Sequence, residues 1–221
     1  MTESNVRTIA TTMHGRYLLE RLGDAQSHLL IVGFHGYAQS AQAILEPMRA
    51  FAPVGSTLVA VQALHRFYSR SQQQVVASWM TREDRKLMLA DNLEYIGRVI
   101  ASARDECAAP IAPMVFVGFS QGTAMAWRAA IQHPSPVIAL GGDIPPELTS
   151  EVLARIPCAL VGHPSLDEWY THDKHQSDLS RLAEAGCSAE GRDLAGGHEW
   201  SAPFYEDCQT FVTRFYRPEQ D

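Results

Sequence analysis

Short apolar runs recur along this chain and are separated by longer segments in which apolar residues repeat at helical spacing. Runs of this kind are typical of strands that a parallel sheet buries on both faces, and they lie at 29–34, 57–61, 114–117, 137–140 and 158–162. A weaker strand is predicted at 188–194. Near the N-terminus, residues 9–13 and 16–20 predict an antiparallel hairpin that turns at His14-Gly15.

Helices are predicted between these strands. In 82–107, the residues Leu89, Leu93, Ile96 and Ile100 share one helical face. Other predicted helices cover 40–50, the segment from residue 120 to about 133, 173–185 and 200–216. Strands that alternate with helices in this way form a mostly parallel central sheet with helices on both faces, which is an α/β fold. The N-terminal hairpin would add an antiparallel edge.

Composition narrows the class of protein. The chain has 221 residues, which fits a single domain over 1–221. Its net charge of −7 argues against nucleic acid and anionic membranes as partners. No run approaches 18 apolar residues, so stable membrane insertion is not expected. The first seven residues hold no apolar signal segment, and the four cysteines are scattered, so we expect a cytoplasmic protein with reduced thiols.

Gly118-Phe119-Ser120-Gln121-Gly122 follows one predicted strand and precedes a predicted helix. A strand, a G-x-S-x-G turn and a helix together form the context of a nucleophile elbow, in which glycines permit a strained, exposed serine. A serine hydroxyl becomes a useful nucleophile when a histidine takes its proton and an acid orients that histidine. The sequence therefore predicts that Ser120 is catalytic.

His198 is the predicted base, because it lies in a glycine-rich turn after the last strand. Two residues compete for the role of acid. Asp167 follows the strand at 158–162, whereas Asp143 follows the preceding strand. Position favours Asp167, and the adjacent Glu168 would point elsewhere.

An oxyanion needs preorganised hydrogen-bond donors. We predict that they are the backbone N–H of Gln121, directly after the nucleophile, and the backbone N–H of Tyr37, in the loop after the first long strand. His35 in that loop is expected to brace it.

His172 and His175 resemble a metal-binding pair, but the sequence places no third ligand at a spacing typical of zinc. We therefore expect a solvated helix start there, no metal and no cofactor.

The glycine-flanked serine, His35-Gly36 and Gly196-Gly197-His198 together resemble the phospholipase/carboxylesterase family, which includes acyl-protein thioesterases. The runs at 79–85 and 167–171 resemble a bacterial branch of esterases. The resemblance implies an α/β-hydrolase fold and a cofactor-free serine hydrolase that acts on small-molecule carboxylic esters or thioesters. It also places the acid on Asp167 and implies a homodimer, because members of the family often dimerise.

The long segment 63–80 is expected to shape the substrate pocket, because long loops in compact domains tend to be functional. Together with Tyr37, the predicted pocket residues, any of which could instead belong to the core, are Phe67, Tyr68, Trp79, Met80 and Ile144. An apolar wall of this kind suits a small or medium acyl group. Two other functions remain open: a lysophospholipase or acyl-protein thioesterase, and a binding protein that keeps the fold without catalysis.

Overall fold

The computed structural model describes residues 5–23, 28–69, 73–107 and 112–216. Its strands are β1 (Arg16–Arg21), β2 (Leu29–Phe34), β3 (Ser56–Gln62), β4 (His65–Tyr68), β5 (Val75–Ser78), β6 (Met114–Phe119), β7 (Val137–Leu140), β8 (Cys158–Pro164) and β9 (Ser188–Leu194). Its helices are α1 (Ala41–Phe51), α2 (Arg85–Glu106), α3 (Thr123–Gln132), α4 (Ser150–Leu153), α5 (His172–Glu184) and α6 (Ala202–Thr213). A single 3₁₀ turn, Ser120–Gly122, leads into α3.

Seven strands form one sheet in the order β1-β3-β2-β6-β7-β8-β9, and every pair except β1 with β3 is parallel. The sheet explains the continuous apolar runs. Alternate residues of β2 pack into two separate core clusters: Leu30 and Val32 into one, Leu29 and Ile31 into the other. The mostly parallel sheet predicted from these runs is confirmed.

Helices cover both faces of the sheet. One core cluster contains apolar residues of α2, α3, α4 and α5, and the other contains apolar residues of α1 and α6. The carboxyl ends of β2, β6, β8 and β9 lie at one edge of the parallel sheet, so the loops that follow these strands meet there. In open α/β sheets, ligands bind at this edge.

The predicted N-terminal hairpin is wrong in its pairing. Residues 9–13 are exposed and form neither helix nor strand. Strand β1 instead pairs antiparallel with β3, from Arg16 opposite Gln62 to Arg21 opposite Thr57. A two-stranded hairpin is marginally stable in water, whereas pairing with β3 attaches β1 to a buried sheet. The antiparallel edge is therefore present, but its partner strand is distant in sequence.

The segment 63–80 contains a second, two-stranded sheet instead of a long loop. Its strands β4 and β5 pair antiparallel, with His65 opposite Ser78 and Tyr68 opposite Val75. An isolated bridge between Gln39 and Ala77 joins β5 to the loop after β2. This second sheet therefore contacts the loop in which we predicted an oxyanion donor.

The described residues also bear on two expectations from composition. All four cysteines are free. Among the helices that the structure describes, none has the length and hydrophobicity needed to cross a membrane.

Candidate active site

Ser120 begins the sharp turn between β6 and α3. Its φ angle is +53°, a left-handed conformation that costs energy in a residue with a side chain. The flanking glycines are required by close packing: a methyl group on Gly118 would lie 2.5 Å from Thr123 Cα, and one on Gly122 would lie 2.0 Å from the carbonyl oxygen of Phe34. The backbone therefore has the strain and the crowding expected of a nucleophile elbow.

His198 and Asp167 form a hydrogen-bonded pair. The distance between His198 Nδ1 and Asp167 Oδ2 is 2.6 Å, and the Asp167 side chain is fully buried while His198 is partly exposed. The other oxygen, Oδ1, accepts hydrogen bonds from the backbone N–H groups of Trp169 (2.9 Å) and Tyr170 (3.0 Å). The ring of Phe119 lies 4.9 Å from the imidazole, centroid to centroid. Both the position and the tilt of the imidazole are thus constrained.

Burial alone would raise the pKa of Asp167. The hydrogen bonds from His198 and from the N–H groups of Tyr170 and Trp169 outweigh this effect and hold the pKa below its usual value. Asp167 is therefore an anion at neutral pH, and the Nδ1 atom of His198 carries the proton that this anion accepts. The Nε2 atom is left with a free lone pair, as a general base requires.

The competing acids lie elsewhere. The side chain of Asp143 is 59% exposed, and its Oδ2 is 3.8 Å from Lys174 Nζ. Glu168 is exposed. Neither carboxylate has a described hydrogen bond to His198, so the geometry agrees with the sequence-based preference for Asp167.

Two glycines connect Ser120 to the Asp167–His198 pair. A methyl group on Gly142 would lie 2.4 Å from the carbonyl oxygen of Ser120, and one on Gly141 would lie 3.1 Å from both Asp167 Oδ2 and His198 Cε1. The three predicted residues therefore converge at one corner of the sheet. Within the described residues, Ser120 Oγ has no hydrogen-bond partner, and catalytic hydrogen bonds in unliganded enzymes are often long.

His35 braces the loop after β2, as expected. Its Nδ1 donates to the carbonyl oxygen of Gly36 (2.7 Å), and its Nε2 accepts from the N–H of Ala63 (3.1 Å). Burial lowers the pKa of His35 to about 4, although the bond to Gly36 opposes the shift. The ring is therefore neutral at pH 7 and has one defined tautomer.

The two predicted oxyanion donors are available for hydrogen bonding. In the part of the chain that the structure describes, the N–H of Tyr37 donates to no acceptor, although the next residue, Ala38, donates to Ala77 at 3.0 Å. Gln121 is the second residue of the 3₁₀ turn, and the first N–H groups of a helix have no partner within it. Both donors lie on backbone that other contacts hold in place.

The side chain of Gln121 joins the nucleophile turn to the segment after β5, a contact that we did not predict. Its Oε1 accepts from the N–H of Trp79 (3.0 Å), and its Nε2 donates to the carbonyl oxygen of Met80 (3.0 Å). The indole N–H of Trp79 donates to the carbonyl oxygen of His35 (2.8 Å). Through its backbone N–H and its buried indole, Trp79 therefore links Gln121 to the loop that contains His35 and Tyr37.

Three of the residues predicted to line the substrate pocket are exposed. Tyr37, Phe67 and Tyr68 all present surface, and the rings of Tyr37 and Phe67 lie 5.8 Å apart. Sequence reasoning missed Leu166 and Trp169, which flank Asp167 in its loop and are 74% and 75% exposed. The sequence held a signal for them, because both are large apolar residues close to the predicted acid in a predicted loop.

The other residues predicted to line the substrate pocket are buried. Trp79 is fully buried, and Met80 and Ile144 are nearly so, all three within one core cluster. They therefore support the site from behind. Ile144 also borders a cavity of about 340 Å³, which is lined as well by Asp143 and Arg181 but not by Ser120 or His198.

Comparison with known proteins supports the fold. No family model matches the sequence, and no curated protein matches it. Among solved structures, a carboxylesterase from Mesorhizobium loti is similar, with a TM-score of 0.74 and 18% identity over 92% of this chain and 97% of that one. Acyl-protein thioesterase 2 from Zea mays has a TM-score of 0.72 and 15% identity, over 92% and 100% of the two chains. A carboxylesterase from Bacillus cereus has a TM-score of 0.70 and 11% identity, over 91% and 95%.

These similarities confirm the α/β-hydrolase fold. The similar structures are carboxylesterases and an acyl-protein thioesterase, the proteins that the sequence resemblance had indicated. Such low identities establish the fold and leave the reaction to be argued from the site.

Proposed function

From the α/β-hydrolase fold and the hydrogen-bonded pair beside a strained serine, we propose that this chain is a serine hydrolase that cleaves carboxylic esters. The observation that carries the proposal is the 2.6 Å hydrogen bond between His198 and a fully buried, anionic Asp167, at the corner where Ser120 has a φ angle of +53°. A buried carboxylate that orients a partly exposed imidazole is the arrangement that activates a serine.

In the first half of the reaction, Ser120 Oγ attacks the acyl carbonyl carbon while His198 Nε2 takes the hydroxyl proton. Asp167 stabilises the imidazolium that forms. The tetrahedral intermediate then collapses, the bond between the carbonyl carbon and the leaving oxygen breaks, and the imidazolium gives its proton to the departing alcohol. The product of this half is an alcohol and an acyl group esterified to Ser120.

In the second half, a water molecule replaces the alcohol. His198 takes a proton from the water, whose oxygen attacks the acyl carbonyl, and the proton then returns to Ser120 Oγ as the carboxylic acid leaves. Negative charge develops on the carbonyl oxygen in both halves. The N–H groups of Tyr37 and Gln121 are the proposed donors to it, and removal of one such donor costs about 10²–10³ in turnover.

A short-chain p-nitrophenyl ester tests the proposal. We expect hydrolysis by the wild-type chain and a loss of at least about 10³-fold in Ser120→Ala, because the remaining site supplies only binding and oxyanion stabilisation. Ser180→Ala is the matched control, since Ser180 is an exposed serine on α5 whose hydroxyl bonds only the carbonyl oxygen of Gln176 among the described groups. Equal rates for Ser120→Ala and the wild type would refute the proposal.

The exposed apolar residues around the site support a small or medium acyl group as substrate. Tyr37 and Phe67 lie on the oxyanion side, and Leu166 and Trp169 lie on the loop of the acid. A series of acyl esters of increasing length, with matched thioesters, distinguishes a general esterase from a thioesterase or a lysophospholipase. If these exposed apolar residues bind the acyl chain, Trp169→Ala should raise KM for the longer acyl chains and change kcat little.

A further inference from the structure

Four potential metal ligands lie together at the ends of β8 and β9, outside the proposed catalytic triad. They are His163 near the end of β8, His172 and His175 in the first turn of α5, and Asp193 near the end of β9. We call this group the histidine cluster. One ligand atom from each of its members lies within 4.8 Å of the others. The third and fourth ligands that were missing from the sequence pattern are thus supplied by neighbouring strands.

The distances from Asp193 to the three histidines fit a shared metal ion. Asp193 Oδ1 lies 2.9, 3.7 and 3.6 Å from the Nδ1 atoms of His163, His172 and His175, respectively. A tetrahedral zinc ion with ligands at about 2.0–2.1 Å separates its ligand atoms by about 3.3–3.4 Å. The three observed distances are centred on this value. Hydrogen bonding explains only the shortest of them, because the two longer ones exceed hydrogen-bond range.

His175 provides a second, independent observation. It is 1% exposed, yet neither of its ring nitrogens has a hydrogen-bond partner of normal geometry among the described residues. The carbonyl of Val161 lies beside the ring without completing such a bond. A buried imidazole without partners is costly, and a metal ion would satisfy the nitrogen that faces Asp193.

We propose that the histidine cluster binds one Zn²⁺ ion through three imidazole nitrogens and one carboxylate oxygen. Imidazole is a ligand type that suits zinc, whereas Mg²⁺ and Ca²⁺ prefer sites made of oxygen ligands. Four protein ligands form a closed site, which is typical of structural zinc. His163 Nδ1 donates to Asp193 Oδ1 at 2.9 Å. Binding requires that this proton move to Nε2, so that Nδ1 can bind the ion.

The position of the site gives the ion a structural role. His163 lies before the loop of Asp167, and His172 lies after it, while Asp193 precedes the turn that carries His198. The same two loops are already joined by hydrogen bonds from Ser165 to Leu194 and from Leu166 to Gly196. A zinc ion would therefore connect the start of the Asp167 loop, the start of the His198 turn and helix α5.

Zinc binding to the chain without a purification tag tests the proposal. After treatment with a chelator, we expect calorimetry and metal analysis to give one Zn²⁺ per chain, with a rise in the melting temperature, and no response to Mg²⁺. The variants His172→Ala and Asp193→Asn change exposed residues and should fold as the wild type does by circular dichroism. Each should bind zinc at least about tenfold more weakly, since even outer-shell changes cost about 10–100-fold.

Two controls locate the ion. His14→Ala removes an exposed histidine outside the cluster and should bind zinc as the wild type does. His198→Ala should also keep the site, because His198 is not a proposed ligand. The proposal is overturned if the wild type binds no zinc at micromolar concentration. It is also overturned if either His172→Ala or Asp193→Asn binds as tightly as the wild type, or if the His198 variant alone loses the ion. None of these outcomes depends on ester hydrolysis.

Discussion

Gly141 offers a sharp test of how tightly the proposed catalytic pair is positioned. Its φ angle is +66°, and a methyl group there would lie 3.1 Å from Asp167 Oδ2 and 3.1 Å from His198 Cε1. Gly186, after α5, has a similar φ angle of +74°, but a methyl group on it would meet nothing within 4 Å. The two glycine-to-alanine variants therefore share backbone strain and differ in contact with the site.

The expected magnitudes follow from this difference. An alanine in the left-handed region costs about 1–2 kcal/mol, so both variants should lose about that much free energy of unfolding. In Gly141→Ala, the added methyl carbon would also lie closer to Asp167 and His198 than the 3.5–4.0 Å of optimal contact. These two side chains must therefore shift by a few tenths of an ångström. Because a misplacement of about 1 Å can cost about 10²-fold, we expect kcat to fall by about tenfold.

Denaturant unfolding and steady-state ester hydrolysis separate these two effects. Both variants should unfold at lower denaturant concentration, and only Gly141→Ala should lose turnover. If the two variants had the same kcat, the position of the Asp167–His198 pair would not limit the reaction, and the reasoning would be refuted.

Three further predictions concern neighbouring side chains. Asp167→Asn presents an amide N–H to His198 and forces the wrong imidazole tautomer, so kcat should fall by about 10⁴. The exposed Asp143→Asn should stay within about twofold, and the reverse ranking in steady-state assays would make Asp143 the acid. Gln121→Ala leaves the N–H of Trp79 without its acceptor, and denaturant unfolding should show a loss of about 1–3 kcal/mol; an unchanged midpoint contradicts this. Burial raises the pKa of Asp178 to about 6 from an ordinary value of 3.8, so its contribution to stability is complete below pH 3.8 and is lost as the pH rises through 6. As the pH rises from 4 to 8, the free energy of unfolding of Asp178→Asn should therefore increase by about 1–3 kcal/mol relative to that of the wild type. A difference that does not change with pH would contradict this prediction.

The features that the sequence predicted well are encoded locally. Strands such as β2 and β6 are buried on both faces, so each leaves a continuous apolar run. The turn around Ser120 requires glycines at fixed positions, because any side chain there would collide with backbone. The positions of Asp167 and His198 followed from the rule that loops after parallel strands meet at one edge of the sheet.

The errors arose where partners are distant in sequence. Strand β1 pairs with β3 and not with the neighbouring segment 9–13, because β3 is a buried strand of the central sheet whereas residues 9–13 are exposed. The burial of Trp79 beneath the loop of His35 depends on the fold of β4 and β5, so its aromatic ring alone suggested a substrate contact.

The histidine cluster was not predicted for the same reason, since its members come from segments that are distant in sequence. Only His172 and His175 are close in sequence, and their spacing alone does not define a metal site. His163 and Asp193 join them because β8 and β9 are adjacent and in register, with these two residues opposite each other. A pairing between two strands cannot be read from the spacing of residues along the chain.

The claim that Ser120 is an activated nucleophile is tested most directly by covalent labelling. A fluorophosphonate reacts with a serine whose hydroxyl is activated by a neighbouring base, and intact-mass spectrometry counts the adducts. We expect one adduct per wild-type chain, located on Ser120 by peptide mapping, and none on Ser120→Ala. A folded wild-type chain that forms no adduct, or an equal adduct on the variant, would contradict the account.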